Sequence, residues 1–124
     1  MNKGKKILVV DDMTVIRNML NLNLKKAGFK VILARNGKEA LGHLSSVNKP
    51  ALIILDVMMP GMNGYEVLKE LKASDDTKDI PVVLLTGNDR EEDVVKGIEL
   101  GASDYVVKPY KPAELIGKIE RLIC

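Results

Sequence analysis

Residues 51–64 read ALIILDVMMPGMNG. An apolar run, Leu52 to Leu55, ends on the acid Asp56, and the chain then breaks into Met, Pro and Gly. A carboxylate at the end of a core strand costs free energy unless something meets it there. Asp56 therefore either caps a loop or is held at the mouth of a pocket for chemistry. Four further short apolar runs flank this one: KILVV (6–10), FKVILA (29–34), PVVLL (81–85) and DYVV (104–107). The most continuous of the five runs mark strands covered on both faces, as in a parallel sheet.

Helical spacing fills the intervals. Ile16, Met19, Leu20 and Leu24 form one stripe, and Ala40, Leu41 and Leu44 a second. Val67, Leu68 and Leu71, then Val94, Val95 and Ile98, then Leu115, Ile116, Ile119 and Leu122 complete the set. Gly28 and Gly101 stand where the first and fourth helices should stop. The sum is an α/β chain of (βα)5 type, with helices expected to run roughly ten to fifteen residues. Five units cannot close an eight-fold barrel, so the sheet should be open and doubly wound. The flavodoxin-like order 2-1-3-4-5 is adopted as the common solution for such a sheet rather than deduced. It makes the carboxyl ends of strands one and three neighbours at the switch point, where open sheets bind ligands.

At 124 residues the chain is expected to be one domain, 1–124, able to bury roughly two-thirds of its unfolded surface. Its 46% hydrophobic and 29% charged content is ordinary for a globular chain. The single cysteine, Cys124, rules out an internal disulfide framework and fits a reducing compartment. The formal net charge of +2 gives no global pull toward nucleic acid or membrane. Residues 1–49 carry ten Lys/Arg against three acids, and residues 50–124 nine against fourteen; a solvated basic face accounts for this. The apolar run behind MNKGKK is too short for a signal core or a span, so a cytoplasmic location is expected.

The strand ends carry the chemistry. Asp11 and Asp12 follow the first run, Asp56 the third, Thr86 the fourth, and Lys108–Pro109 the fifth. Three crowded carboxylates repel one another. A divalent cation resolves that, and Mg²⁺ uses one or two carboxylates with waters and a phosphate oxygen. Lys108 is a compact cation suited to a phosphoryl oxygen, and Thr86 can donate one hydrogen bond to another. A carboxylate that itself takes up the phosphoryl group, its oxygen attacking phosphorus, gives an acyl phosphate, and Asp56, standing alone, is the candidate.

The pieces ILVVDDM, LIILDVMMPGMNG, PVVLLTG and GASDYVVKPY, in this order and spacing, make the chain resemble the receiver domain of two-component response regulators over essentially its whole length. The resemblance implies that Asp56 accepts a phosphoryl group from a sensor histidine kinase or a phosphotransfer protein. It implies that Asp11, Asp12, Asp56 and the backbone carbonyl of Met58 hold Mg²⁺, or Mn²⁺ in its place, with Asp11 often acting through water. Thr86 and Tyr105 would be the switch pair, and Lys108 would contact the phosphoryl group from beside a cis Lys108–Pro109 bond. The face of helix 4, strand 5 and helix 5 would then regulate a downstream protein or output domain, or pair two copies. Neither direct nucleic-acid binding by this domain nor a membrane is implied. The residues at the rim, Met58 and Asn88, would set how long an acyl phosphate survives.

Taken singly, each residue has a plainer reading. Asp11 or Asp12 can cap the first helix, Thr86 can be a loop residue, Lys108 a surface lysine, and Tyr105 permanent core. His43, the lone histidine, reads as solvated. Met58, Met59 and Met62 read as loop packing, and Pro60, Gly61 and Gly64 as turn chemistry. A phosphatase of haloacid-dehalogenase type needs Asp-x-Asp-x-Thr/Val, and DDMTV places Met13 at the second acid. A flavin carrier lacks aromatics to stack the ring, and no P-loop stretch exists. A receiver acting by contact alone is disfavoured by the complete acid set. The chain reads equally as a free-standing regulator or as the amino-terminal receiver of a longer one, and the apolar ending RLIC fits the second.

Overall fold

The structure, a computed structural model, describes residues 4–44, 49–59, 63–87 and 91–124. Ten elements alternate: β1 (Lys6–Val10), α1 (Thr14–Lys26), β2 (Lys30–Ala34), α2 (Gly37–Gly42), β3 (Leu52–Asp56), α3 (Gly64–Ala73), β4 (Val82–Thr86), α4 (Glu91–Glu99), β5 (Asp104–Val107) and α5 (Pro112–Ile123). The five strands form one parallel sheet in the order β2-β1-β3-β4-β5. The expected fold class and order hold.

Alternation along the strands sorts the core into two layers. Leu8, Val10, Ile53, Leu55, Val82 and Leu84 point to the α2–α3 side, joined there by Val67, Leu68 and Leu71. Ile7, Val9, Leu52, Ile54, Val83, Leu85 and Val106 face the α1–α5 side with Leu20, Leu24, Leu115 and Ile119. Every residue of β3 and β4 is buried, which accounts for their unbroken apolar sequences.

Both expected glycine stops are present. Gly28 has φ 97° and Gly101 φ 108°, values that an L side chain rarely adopts. Gly28 N–H donates to Lys25 O and Phe29 N–H to Leu24 O; Gly101 and Ala102 bond Ile98 O and Gly97 O in the same way. These paired bonds close each helix with its last carbonyls satisfied.

Helix length departs from expectation. α2 has six residues and α4 nine. α2 starts at Gly37 behind an Asn36 cap and ends at Gly42, so two of its six residues are glycine. Glycine weakens a helix interior, and Leu44 reaches the core from beyond the last turn. No helix among the described residues is long and apolar enough to cross a membrane.

Candidate functional site

Register brings the acids together. Val10 pairs with Leu55, so the next positions, Asp11 and Asp56, lie side by side at the carboxyl edge. Asp56 is the last residue of β3 and is buried, as is Asp11, while Asp12 is exposed. One carboxylate oxygen from each of the three lies within 4.8 Å of the others. The two buried acids thus differ from their exposed companion, a distinction their sequence does not display.

Each buried acid is held by backbone and by one cation. Asp11 Oδ1 accepts from Met13 N–H at 2.9 Å, and Asp56 Oδ1 from Met58 N–H at 3.2 Å. Lys108 Nζ stands 3.3 Å from Asp11 Oδ2 and 3.2 Å from Asp56 Oδ1. Asp11 Oδ2 is buried and, among the described residues, makes no hydrogen bond despite that ion pair. Burial foremost, and then the neighbouring Asp11 charge, push Asp56 up to about 6; Lys108 and the Met58 N–H pull the other way.

The helix-cap alternative does not hold. The N-cap of α1 is Met13, without a side-chain bond, and no acid lies in the first turn. Lys108 is not a surface lysine either, since its side chain is only 21% exposed and turned onto the two acids. The Lys108–Pro109 bond is cis as expected. Lys108 N–H also donates to Thr86 O at 2.7 Å, tying the end of β5 to the end of β4. Thr86 is buried as the last residue of β4.

Tyr105 lies partly buried on β5, packed against the α2–α3 layer, with Lys118 Nζ 4.9 Å from its ring centre. Met58 projects outward at 73% exposure, whereas Met59 is buried. His43 is exposed at the end of α2. Pro60, Gly61, Met62 and Asn88 lie outside the described residues.

Two neighbours of the acids were not legible as such. Gly64 is no turn residue: it opens α3 without a positive φ. A Cβ there would strike Asp56 O and come within 2.7 Å of Val57 Cα. Glycine is needed because the helix rests directly on the backbone of Asp56 and Val57. Arg17, the fourth residue of α1, donates from Nη1 to Asp11 O at 2.8 Å. Its only sequence signal is the missing cap of α1.

Buried acids and a lysine thus gather at the carboxyl edge of an open parallel sheet, beside the switch point where such α/β domains bind ligands. The response regulator receiver domain family model matches residues 7–120, and the chain belongs to that family. It is 40% identical to the phosphate regulon transcriptional regulatory protein PhoB of Pseudomonas aeruginosa, covering 97% of this chain and 52% of that protein. It is 44% identical to the alkaline phosphatase synthesis transcriptional regulatory protein PhoP of Bacillus subtilis, covering 97% and 49%. The chain thus spans about half the length of these curated relatives. Among solved structures, chemotaxis protein CheY4 of Vibrio cholerae superposes with a TM-score of 0.89 at 35% identity, covering 95% of this chain and 98% of that one. Members of this family are signalling switches rather than turnover enzymes.

Proposed function

We propose that the chain is a single receiver domain, residues 1–124, that takes a phosphoryl group onto Asp56 and signals by changing shape. The observation that carries this reading is Lys108 poised between the two buried carboxylates of Asp11 and Asp56. With its pKa near 6, Asp56 is mostly ionised at neutral pH and can act as a nucleophile.

A carboxylate oxygen of Asp56 attacks the phosphorus of a phosphohistidine on a sensor kinase or phosphotransfer protein. The O–P bond forms, the P–N bond breaks, and the departing imidazole nitrogen takes up a proton from solvent. The Lys108 ammonium and the Thr86 hydroxyl bond phosphoryl oxygens and hold them in line. The donor set suits a small hard cation: three carboxylates converge, and Asp11 Oδ2 is buried with no hydrogen-bond partner among the described residues. Asp11, Asp12, Asp56 and the Met58 carbonyl would hold Mg²⁺, or Mn²⁺, which supplies counter-charge to the phosphoryl oxygens.

Drawing Thr86 toward the new phosphoryl oxygens opens space for Tyr105 and alters the α4–β5–α5 face. That face has the means to be read: α4 exposes Val95 and Ile98, and Lys118 bonds Tyr105 O at 2.6 Å and Asp104 Oδ1 at 3.3 Å. A downstream protein, an output domain or a second copy would engage it.

Incubation with acetyl phosphate and Mg²⁺ should raise the intact mass by one phosphoryl group, and Asp56→Asn should abolish the rise. Phosphate retained by Asp56→Asn, or mapped to His43, would sink the assignment.

A further inference from the structure

We infer that Arg17 is a positioning residue that fixes Asp11, and with it the β1–α1 turn, in the orientation the metal site requires; this rests on the proposed metal-binding role of Asp11. Asp11 is wholly buried; Met13 N–H and Lys108 meet its carboxylate, and what holds its backbone sets the base from which that carboxylate projects. Its N–H donates to Ala34 O at 3.1 Å, which continues the sheet. Its carbonyl receives Arg17 Nη1 at 2.8 Å, and Nη2 of the same guanidinium donates to Thr14 Oγ1 at 3.2 Å. One planar group therefore clasps the first and last residues of the segment 11–14. Met13 N–H, inside the clasp, falls on Asp11 Oδ1. Asp12 belongs to the same segment.

Nothing else on α1 does this work, because its N-cap makes no side-chain bond and its first turn has no acid. The fork geometry matters: a guanidinium presents rigid, coplanar donors that a lysine ammonium cannot reproduce. A competing account makes Arg17 merely a nearby positive charge that tempers acid repulsion. The two accounts have opposite signs. A nearby cation opposes the binding of a second cation, so its removal would tighten Mg²⁺ binding. Loss of a clasp loosens it.

The test is calorimetric titration of Mg²⁺ into the metal-free full chain at pH 7.5, well below the melting temperature. Arg17→Ala should weaken binding by about tenfold or more, as removal of groups that orient metal ligands does. Arg17→Lys, which keeps the charge, should also weaken it, by less. Lys25→Ala, an equal charge change at the far end of α1, should leave affinity within about twofold, since screening dampens so distant a charge. Arg17→Ala that stays folded and binds Mg²⁺ equally or more tightly overturns the inference, as does Arg17→Lys with parental affinity. A parent chain that takes up no Mg²⁺ overturns the metal-site reading and this inference with it.

Discussion

Two partly buried lysines, Lys72 on α3 and Lys108 after β5, sit at opposite edges of the sheet and do opposite things. Lys72 Nζ donates to Lys78 O and Ile80 O, each at 2.8 Å, and so ties down the segment entering β4. Thr77 Oγ1 donates to Leu71 O at 2.6 Å in the same corner. Side-chain donors there meet backbone acceptors, neutral partners that ask nothing further. Lys108 instead faces two carboxylates, and one of their oxygens has no hydrogen-bond partner among the described residues. Charge set against charge in a buried place is poorly satisfied until another ion or group arrives. The comparison teaches where to look for function: at the edge where burial leaves polar demands unmet.

The largest effect should come from removing that conflict. Asp56 has its pKa raised from 3.8 to about 6, so its ionised form opposes folding. The stability associated with its protonated form is present below pH 3.8 and is lost as pH rises through 6. Asp56→Asn should therefore raise metal-free stability at pH 7.5 by at most about 3 kcal/mol, the equivalent of that shift. The gain should nearly vanish at pH 4. Thermal unfolding at both pH values decides it; an equal gain at pH 4 would assign the effect to something other than charge.

At the opposite edge the sign reverses. Lys72→Met keeps the stem that lies against Gly101 but removes the donors to two carbonyls. It should cost on the order of 2 kcal/mol. Mg²⁺ affinity and phosphorylation by acetyl phosphate should be unchanged. A variant that folds stably yet phosphorylates poorly would break the division between the two edges. The smallest effect is expected at the rim. Met58, exposed and apolar, cannot orient an attacking water as an acid can. Met58→Glu should shorten the lifetime of phosphorylated protein by a few-fold at fixed Mg²⁺ and pH. Unchanged decay would show that Met58 takes no part in setting that lifetime.

Much of this was readable beforehand because parallel strands advertise themselves as apolar runs, and the residue that ends each run lands at one edge. Asp56, Thr86 and Lys108 were found in that way, and register then joins Asp11 to Asp56. Periodicity was weaker on extent: α2 is short because Gly37 and Gly42 bound it, yet Leu44 continues the apolar stripe from outside the helix. Nor could spacing tell that Asp11 is buried and Asp12 exposed, since adjacent residues in a turn diverge by backbone geometry alone. Arg17 acts by folding back onto Asp11 O from the first turns of α1, and Lys118 by its ammonium near the Tyr105 ring. Such contacts exist only once the helices are placed.

The seat of α3 has a consequence for descent. At Gly64 even one added methyl would meet the backbone of Asp56 and Val57, atoms that cannot swing aside like the tip of a side chain. Among the described residues, nothing lies within 4 Å of such a methyl at Gly42 or Gly117. A lineage carrying this chain can add a methyl at those two positions without meeting a described neighbour, but at 64 any side chain must displace the end of β3. If Asp56 takes up the phosphoryl group as proposed, Gly64 serves that group without contributing an atom to it.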